Sequence, residues 1–297
     1  MDWGAKDGAN EGASADWMLV AAEWSDRTAQ VARRGASLAQ QRGERGLLVH
    51  LHHYGIKQFL RGMSAEACAR HQRERLAQLA QLVQRQTGFR FEIEVQRSGP
   101  QGGADLHRRF RQARLSVVEA QRAWDGGHAP RFAPPLAQRL AREGGHPVLM
   151  VRRDAAQPYR RALVLVDPAK PAADALAHVR GVAPAAEIVL LAALDRKGEN
   201  RLRATGADEE RIDALLQQQR EDALERLAGL EGVPRIVEHG YAPTVLQYAE
   251  RRLRPDLLVL PNDRAQGLRR LFLRSLVGEA LARSDCDILV LPDGGAG

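Results

Sequence analysis

The chain has 297 residues, room for about two domains of ordinary size, with a hydrophobic fraction of 44% and a charged fraction of 27%. That balance is that of a globular chain and excludes disorder and a membrane-embedded class; the longest apolar stretches, such as Ile188–Leu194, fall far short of the roughly 20 residues that cross a bilayer. The net charge of +7 is carried almost wholly by arginine, since the only lysines are Lys6, Lys57, Lys170 and Lys197, which raises the question of an anionic partner.

In chain order, residues 1–15 are rich in Gly, Ala and Asp and lack an apolar core, so they read as a flexible leader and not a signal peptide. Strands are then expected at Met18–Ala22, Leu47–Leu51, Phe89–Val95, Leu115–Val118 and Val148–Val151. Between the second and third, Leu76, Leu79, Leu82 and Val83 recur at helical spacing. The pattern breaks at Arg153–Tyr159. It resumes with expected strands at Ala162–Val166, Ile188–Leu194, Arg235–Glu238, Leu257–Leu260 and Ile288–Leu291. One helix face is traced by Ile212, Leu215, Leu216, Ala223, Leu224 and Leu227, and another helix by Thr244–Arg252, with Pro243 suited to its first turn. Strands that are apolar throughout and separated by helices imply parallel sheets covered on both faces.

The two halves correspond at a period near 140–144 residues. Met18-Leu-Val-Ala-Ala-Glu23 has the form of Ala162-Leu-Val-Leu-Val-Asp167. Arg114-Leu-Ser-Val-Val-Glu119 corresponds to Asp256-Leu-Leu-Val-Leu-Pro261, and Pro147–Val151 to Asp287–Leu291. Three correspondences in one order at near-equal offsets imply a duplication, with one domain at 16–153 and a second at 159–293.

These residues resemble the universal stress protein family in its tandem form, over about residues 16–293. The matching pieces are Asp167 after a first strand, His239-Gly240, the strand Asp256-Leu-Leu-Val-Leu260, the segment Leu271–Val290, and His146-Pro-Val-Leu-Met-Val151 in the first half. The resemblance implies two tandem five-stranded, doubly wound α/β domains with strand order 3-2-1-4-5. It also implies an intramolecular pseudo-dimer in which Val148–Val151 faces Ile288–Leu291.

Family members bind ATP through a loop of the form G-x2-G-x9-G-(S/T), or have lost it. Ligands of such sheets bind at the carboxyl ends of the strands where strand order reverses, here between the first and fourth strands. That point would be bordered by Asp167, the loop after Leu260 and the start of a helix at Ser275. Pro261, Arg264 and Arg274 stand at the three glycine positions, and only Ser275 is kept. Proline removes an N–H donor, and a Cβ hinders backbone closure on phosphate. Arg264 and Arg274 can instead hold an anion through their guanidinium groups. In the first half, Pro134-Pro135 replace Gly-(S/T), and Glu23 and Glu119 bring two carboxylates to the equivalent point, which is hostile to a triphosphate.

Other constellations carry less. His50 and His52 share a strand face near Glu23, a set that could ligate a divalent ion, though histidines at a strand end are more often solvated. Cys68 and Cys286 cannot make a disulfide framework and suit a reducing cytosol; Cys286 reads as a small core residue. No serine sits in a nucleophile elbow and there is no G-x-x-x-x-G-K-(S/T) sequence. Arg108, Arg109, Arg111 and Arg114 cluster before the fourth strand, and Arg251, Arg252 and Arg254 occupy the matching place. With aromatics at 5% and none interleaved, they do not form a base-stacking surface. The expectation is therefore a non-catalytic cytoplasmic stress-response protein that binds a protein partner or an anionic metabolite, free of membrane and nucleic acid and open to further self-association. An ATP-binding sensor using Asp167, Arg264, Arg274 and Ser275 is the first alternative, with weak ATP hydrolysis its enzymatic variant. An adaptor for nucleic acid or acidic protein surfaces is the second.

Overall fold

The computed structural model describes residues 17–52, 62, 64–97, 109–110, 112–120, 136–143, 145–153, 157–230, 232–261 and 269–292. The expected leader, residues 1–15, and Pro134-Pro135 lie outside them. The first half runs β1 (Trp17–Ala21), α1 (Thr28–Arg42), β2 (Arg45–His52), α2 (Ala65–Thr87), β3 (Glu92–Arg97), β4 (Leu115–Glu119), α3 (Leu136–Glu143) and β5 (Val148–Val151). The second runs β6 (Arg161–Val166), α4 (Ala173–Val182), β7 (Glu187–Leu194), α5 (Lys197–Ala204), α6 (Glu209–Arg226), β8 (Arg235–His239), α7 (Ala242–Leu253), β9 (Leu257–Pro261), α8 (Arg269–Arg283) and β10 (Asp287–Leu291).

All ten strands form one sheet in the order β3-β2-β1-β4-β5-β10-β9-β6-β7-β8. Each half therefore has the order 3-2-1-4-5, with parallel pairing throughout. The inner strands are buried on both faces, which is why they read as continuous apolar runs. The two edges, β3 and β8, instead carry Glu92, Glu94, Arg97, Arg235 and Glu238, charges that discourage edge-to-edge pairing.

Two apolar layers cover the sheet. On one face Val31, Ala36, Leu76, Val83, Leu176, Val179 and Ala223 bring in α1, α2, α4 and α6. On the other, Leu140, Val245, Leu246, Leu276 and Leu281 bring in α3, α7 and α8. The helices after β6 and β9 thus leave on opposite faces, which opens the crevice at the reversal of strand order. Gly35 lets α1 lie against β1: a Cβ there would strike Val20 Cγ2. Local signals fix the helix ends, as where Ser64 and Asp208 cap α2 and α6 by accepting the N–H of Ala67 and Arg211. Gly43 and Gly88 close α1 and α2 in the left-handed conformation.

The halves meet at one antiparallel pair, β5 with β10, in the register Met150↔Ile288, Leu149↔Leu289 and Val148↔Val290. This is the contact expected between Val148–Val151 and Ile288–Leu291. A buried polar cluster fastens its end. Asp287, 0% exposed, accepts the backbone N–H groups of Arg152 and Arg153, both at 2.7 Å. Its other oxygen accepts the Tyr159 hydroxyl at 2.6 Å and lies 3.7 Å from Arg34 Nε. The Arg34 guanidinium also stacks over the Tyr159 ring at 4.3 Å and donates to the Gln157 carbonyl. Burial first, and then the Asp287 carboxylate, push the Tyr159 phenol well above its ordinary value, so it stays a donor. From β5, Arg152 donates to the carbonyls of Leu281 and Ser284, satisfying acceptors that the end of α8 leaves open. Because the seam is antiparallel, the carboxyl ends of the first-half strands lie at the same end of the sheet as the amino ends of the second-half strands.

Candidate functional site

In the second half, β6 and β9 lie side by side in parallel, with Val164 beside Val259. Their carboxyl ends deliver Asp167 and Pro261 to the same crevice. Asp167 is half-buried. Its Oδ1 accepts the Ala169 N–H at 2.9 Å and its carbonyl accepts that of Lys170 at 2.9 Å, so the side chain folds the turn after β6 and keeps its second oxygen for other partners. At β8, which ends nearby on the same side of the sheet, His239 Nε2 lies 3.3 Å from Gln219 Oε1. Burial, then the positive charges of Arg196 and Arg220, lower the His239 pKa from its ordinary 6.5, so the ring adds no positive charge to this end at neutral pH.

Of the other expected site residues, Arg264 lies outside the described residues, and of Arg274 and Ser275 only the backbone is described. That backbone corrects one expectation. The helix does not begin at Ser275 but at Arg269, six residues earlier. With arginine at 274 in place of glycine, the run Arg269-Arg-Leu-Phe-Leu-Arg274 consists of residues compatible with helix, and the helix extends back through it. The free N–H groups of its first turn therefore belong to residues 269–272 and not to Ser275.

The first-half crevice is built differently. Glu119, buried at the end of β4, accepts a hydrogen bond from the Ser25 hydroxyl, which ties the loop after β1 across the mouth. Trp24 in that loop has φ 55°, an uncommon conformation for a bulky side chain. Its indole N–H donates to His50 Nε2 at 2.9 Å, and Arg75 lies over its ring at 4.2 Å. His50 Nδ1 lies 2.7 Å from the Ala22 carbonyl. Both nitrogens of His50 are thus engaged and the ring is buried, not solvated as its place at a strand end implied. The His52 side chain lies outside the described residues, and among the described residues no group of three or more His, Cys, Asp or Glu could hold a metal ion. Trp24, the residue that organises this mouth, escaped the sequence reading; its only signal there was an aromatic directly after the acid that replaces the family aspartate.

Arg109 pairs with Glu94 at 3.2 Å; Arg108 and Arg111 lie outside the described residues. Arg251, Arg252 and Arg254 are exposed. A cleft of about 1050 Å³ lies beside two of them, at the amino ends of β6, β9 and β10, the opposite end of the second-half strands from Asp167. Cys286 lies in its wall, 3% exposed, with Sγ 3.0 Å from the Pro255 carbonyl; burial, then the Glu250 carboxylate, push its thiol up to about 12.

The topology and its paired crevices define a tandem, doubly wound α/β protein of the kind that binds small ligands at strand ends. Residues 158–292 match the model of the universal stress protein family. The second half is therefore a universal stress protein domain, and the first half repeats its fold in a tandem arrangement. A universal stress protein from Archaeoglobus fulgidus DSM 4304 superposes with a TM-score of 0.61 at 14% identity, over 94% of this chain and 99% of that one. A functionally unknown protein from Pseudomonas aeruginosa PAO1 gives 0.56 at 18% identity, over 94% and 93%. A putative universal stress protein from Pseudomonas aeruginosa UCBPP-PA14 gives 0.55 at 17%, over 94% and 93%. A search of curated proteins found no match. The family match in the second half supports a stress-response role, and no helix among the described residues is long and apolar enough to cross a membrane.

Proposed function

We propose that this is a non-catalytic cytoplasmic stress-response protein whose domains, 16–153 and 159–293, form an intramolecular pseudo-dimer and act by binding an anionic metabolite or a protein partner. The observation that carries this reading is the rebuilt second-half crevice: Pro261 closes β9, and α8 opens with Arg269 and Arg270. With Pro261, Arg264 and Arg274 at the three glycine positions of the family loop, backbone N–H groups close poorly on phosphate, whereas guanidinium groups hold it by charge and paired donors. In the first half the carboxylates of Glu23 and Glu119 and the Trp24 loop occupy the equivalent place, so the second half carries the binding.

An ATP sensor is the second reading. It is favoured by Asp167, which stands at the switch point with one oxygen uncommitted to its own turn. Asp167 would meet the ribose or adenine, and Arg264, Arg274 and Ser275 the phosphates. Calorimetric titration with ATP, AMP and inorganic phosphate separates the two. The first reading expects no ATP binding that depends on Asp167. Micromolar ATP binding that disappears in Asp167→Ala overturns it in favour of the sensor.

A further inference from the structure

The cleft of about 1050 Å³ lies about 20 Å along the strands from Asp167, the length of a six-residue strand. No part of the switch-point reading uses it. Three elements converge on it with the same charge. The end of α7 supplies Arg251 and Arg254, the end of α8 supplies Arg283, and the connection into β6 with its first residue supplies Arg153, Arg160 and Arg161. Among the described residues three carboxylates, Glu250, Asp256 and Asp285, share the lining, and each has partners of its own. Asp256 accepts the backbone N–H groups of Arg160 and Arg161 at 2.8 and 2.9 Å. Glu250 accepts the hydroxyl of Ser284 at 2.7 Å.

The arginines are mostly uncommitted. Arg161 pairs with Glu187 at 3.0 Å, but among the described residues the side chains of Arg160, Arg251, Arg254 and Arg283 form no ion pair. Among the described residues, six guanidinium groups face three lining carboxylates and Glu187, the partner of Arg161, which leaves an excess of two positive charges. Two helix carboxyl ends face the cleft, each worth about half a negative charge, so the dipoles absorb about one. Arg254 also adopts φ 48° at the left-handed position that ends α7, where glycine is the ordinary choice. A strained arginine where glycine would sit without cost is a motive to look for a ligand.

We propose that this cleft is a second anion site, which takes a small molecule bearing two or more phosphoryl groups and recognises it by those groups. Guanidinium forks match phosphate oxygens in pairs, and the volume is just above the range of small-molecule sites, about 300–1,000 Å³. Among the described residues no aromatic side chain lines the cleft, so a nucleobase gains no stacking from them. The same absence, with the concave shape, argues against single-stranded nucleic acid.

The test is calorimetric titration of the full chain with inorganic tripolyphosphate at physiological salt. Micromolar binding is expected, weakened at least tenfold in the double variant Arg251→Ala/Arg254→Gly and unchanged in Asp167→Ala/Ser275→Ala. Since glycine suits the left-handed position better than arginine, the single variant Arg254→Gly should melt at or above the wild-type Tm while binding more weakly. That opposition separates a lost ligand contact from lost folding. The proposal is overturned if wild type does not bind, if the arginine variants bind undiminished, or if the Asp167→Ala/Ser275→Ala variant alone loses affinity. Displacement of tripolyphosphate by an oligonucleotide at equal phosphate concentration also overturns it, in favour of an extended nucleic-acid surface.

Discussion

A thiol in contact with carboxylate and carbonyl oxygens and shut away from water is a poor nucleophile. Cys286 meets both conditions, with its pKa pushed up to about 12. At pH 8 its thiolate fraction is of order one in ten thousand, where an unperturbed thiol near 8.5 would be roughly a quarter ionised. Cys68 is buried as well. Native protein should therefore release almost no chromophore from a disulfide thiol reagent at pH 8, and two equivalents once unfolded. Rapid labelling of the native chain would show that the α7–β10 corner opens. The reading of Cys286 as a small core residue was available from its place before an apolar strand. Its oxygen partners Glu250 and Pro255 were not, because they lie more than thirty residues away and only the α7–β9 turn brings them near.

Elements show the same division between local and distant information. Strands buried on both faces announce themselves, and the inner strands lie within a residue or so of their expected bounds at most ends. The edge strand β3 does not. Phe89 and Phe91 read as its beginning, yet the strand opens at Glu92, because the two rings pack edge to face at 5.0 Å as a lead-in over Gly46. Helix α5 has no apolar face to detect and is held by buried Glu199 between Arg196 and Arg203. The start of α8 was misplaced for a related reason: the helix is ended by what its residues allow, not by where relatives keep a glycine. Close approach of α1 to β1 yields a prediction of its own. Gly35→Ala raises helix propensity by up to about 1 kcal/mol but forces a methyl group against Val20. Overpacking of this kind costs about 1–3 kcal/mol, so the variant should lose stability in urea unfolding. A gain would mean that α1 can shift outward freely.

For the molecule as a whole, the seam decides whether the two halves behave as one body. Its apolar pairs are ordinary, but Asp287 gathers groups from three separate parts of the chain: Arg34 of α1, the Arg152–Arg153 backbone and Tyr159. Asp287→Asn removes a buried charge that faces Arg34 and accepts the Tyr159 hydroxyl and should cost up to about 3–5 kcal/mol, measured as a lowered urea midpoint at unchanged m-value. A loss below about 1 kcal/mol would show that Arg34 finds water or another acceptor. This cluster was illegible beforehand, since its members lie up to 253 positions apart and only the pairing of β5 with β10 assembles them.

That antiparallel pairing also has a kinetic consequence. It turns the first-half mouth, with Glu23 and Glu119, toward the same end of the sheet as the arginine cleft, four strand spacings or roughly 19 Å away. A polyanion diffusing up to this end meets a lateral potential gradient: it is repelled over β1 and β4 and drawn over β9 and β6. Such a gradient funnels encounters sideways into one mouth and speeds association without adding a contact. It fades once the screening length, about 8 Å at physiological salt, falls below the separation of the two mouths, so capture there should be quickest in dilute electrolyte.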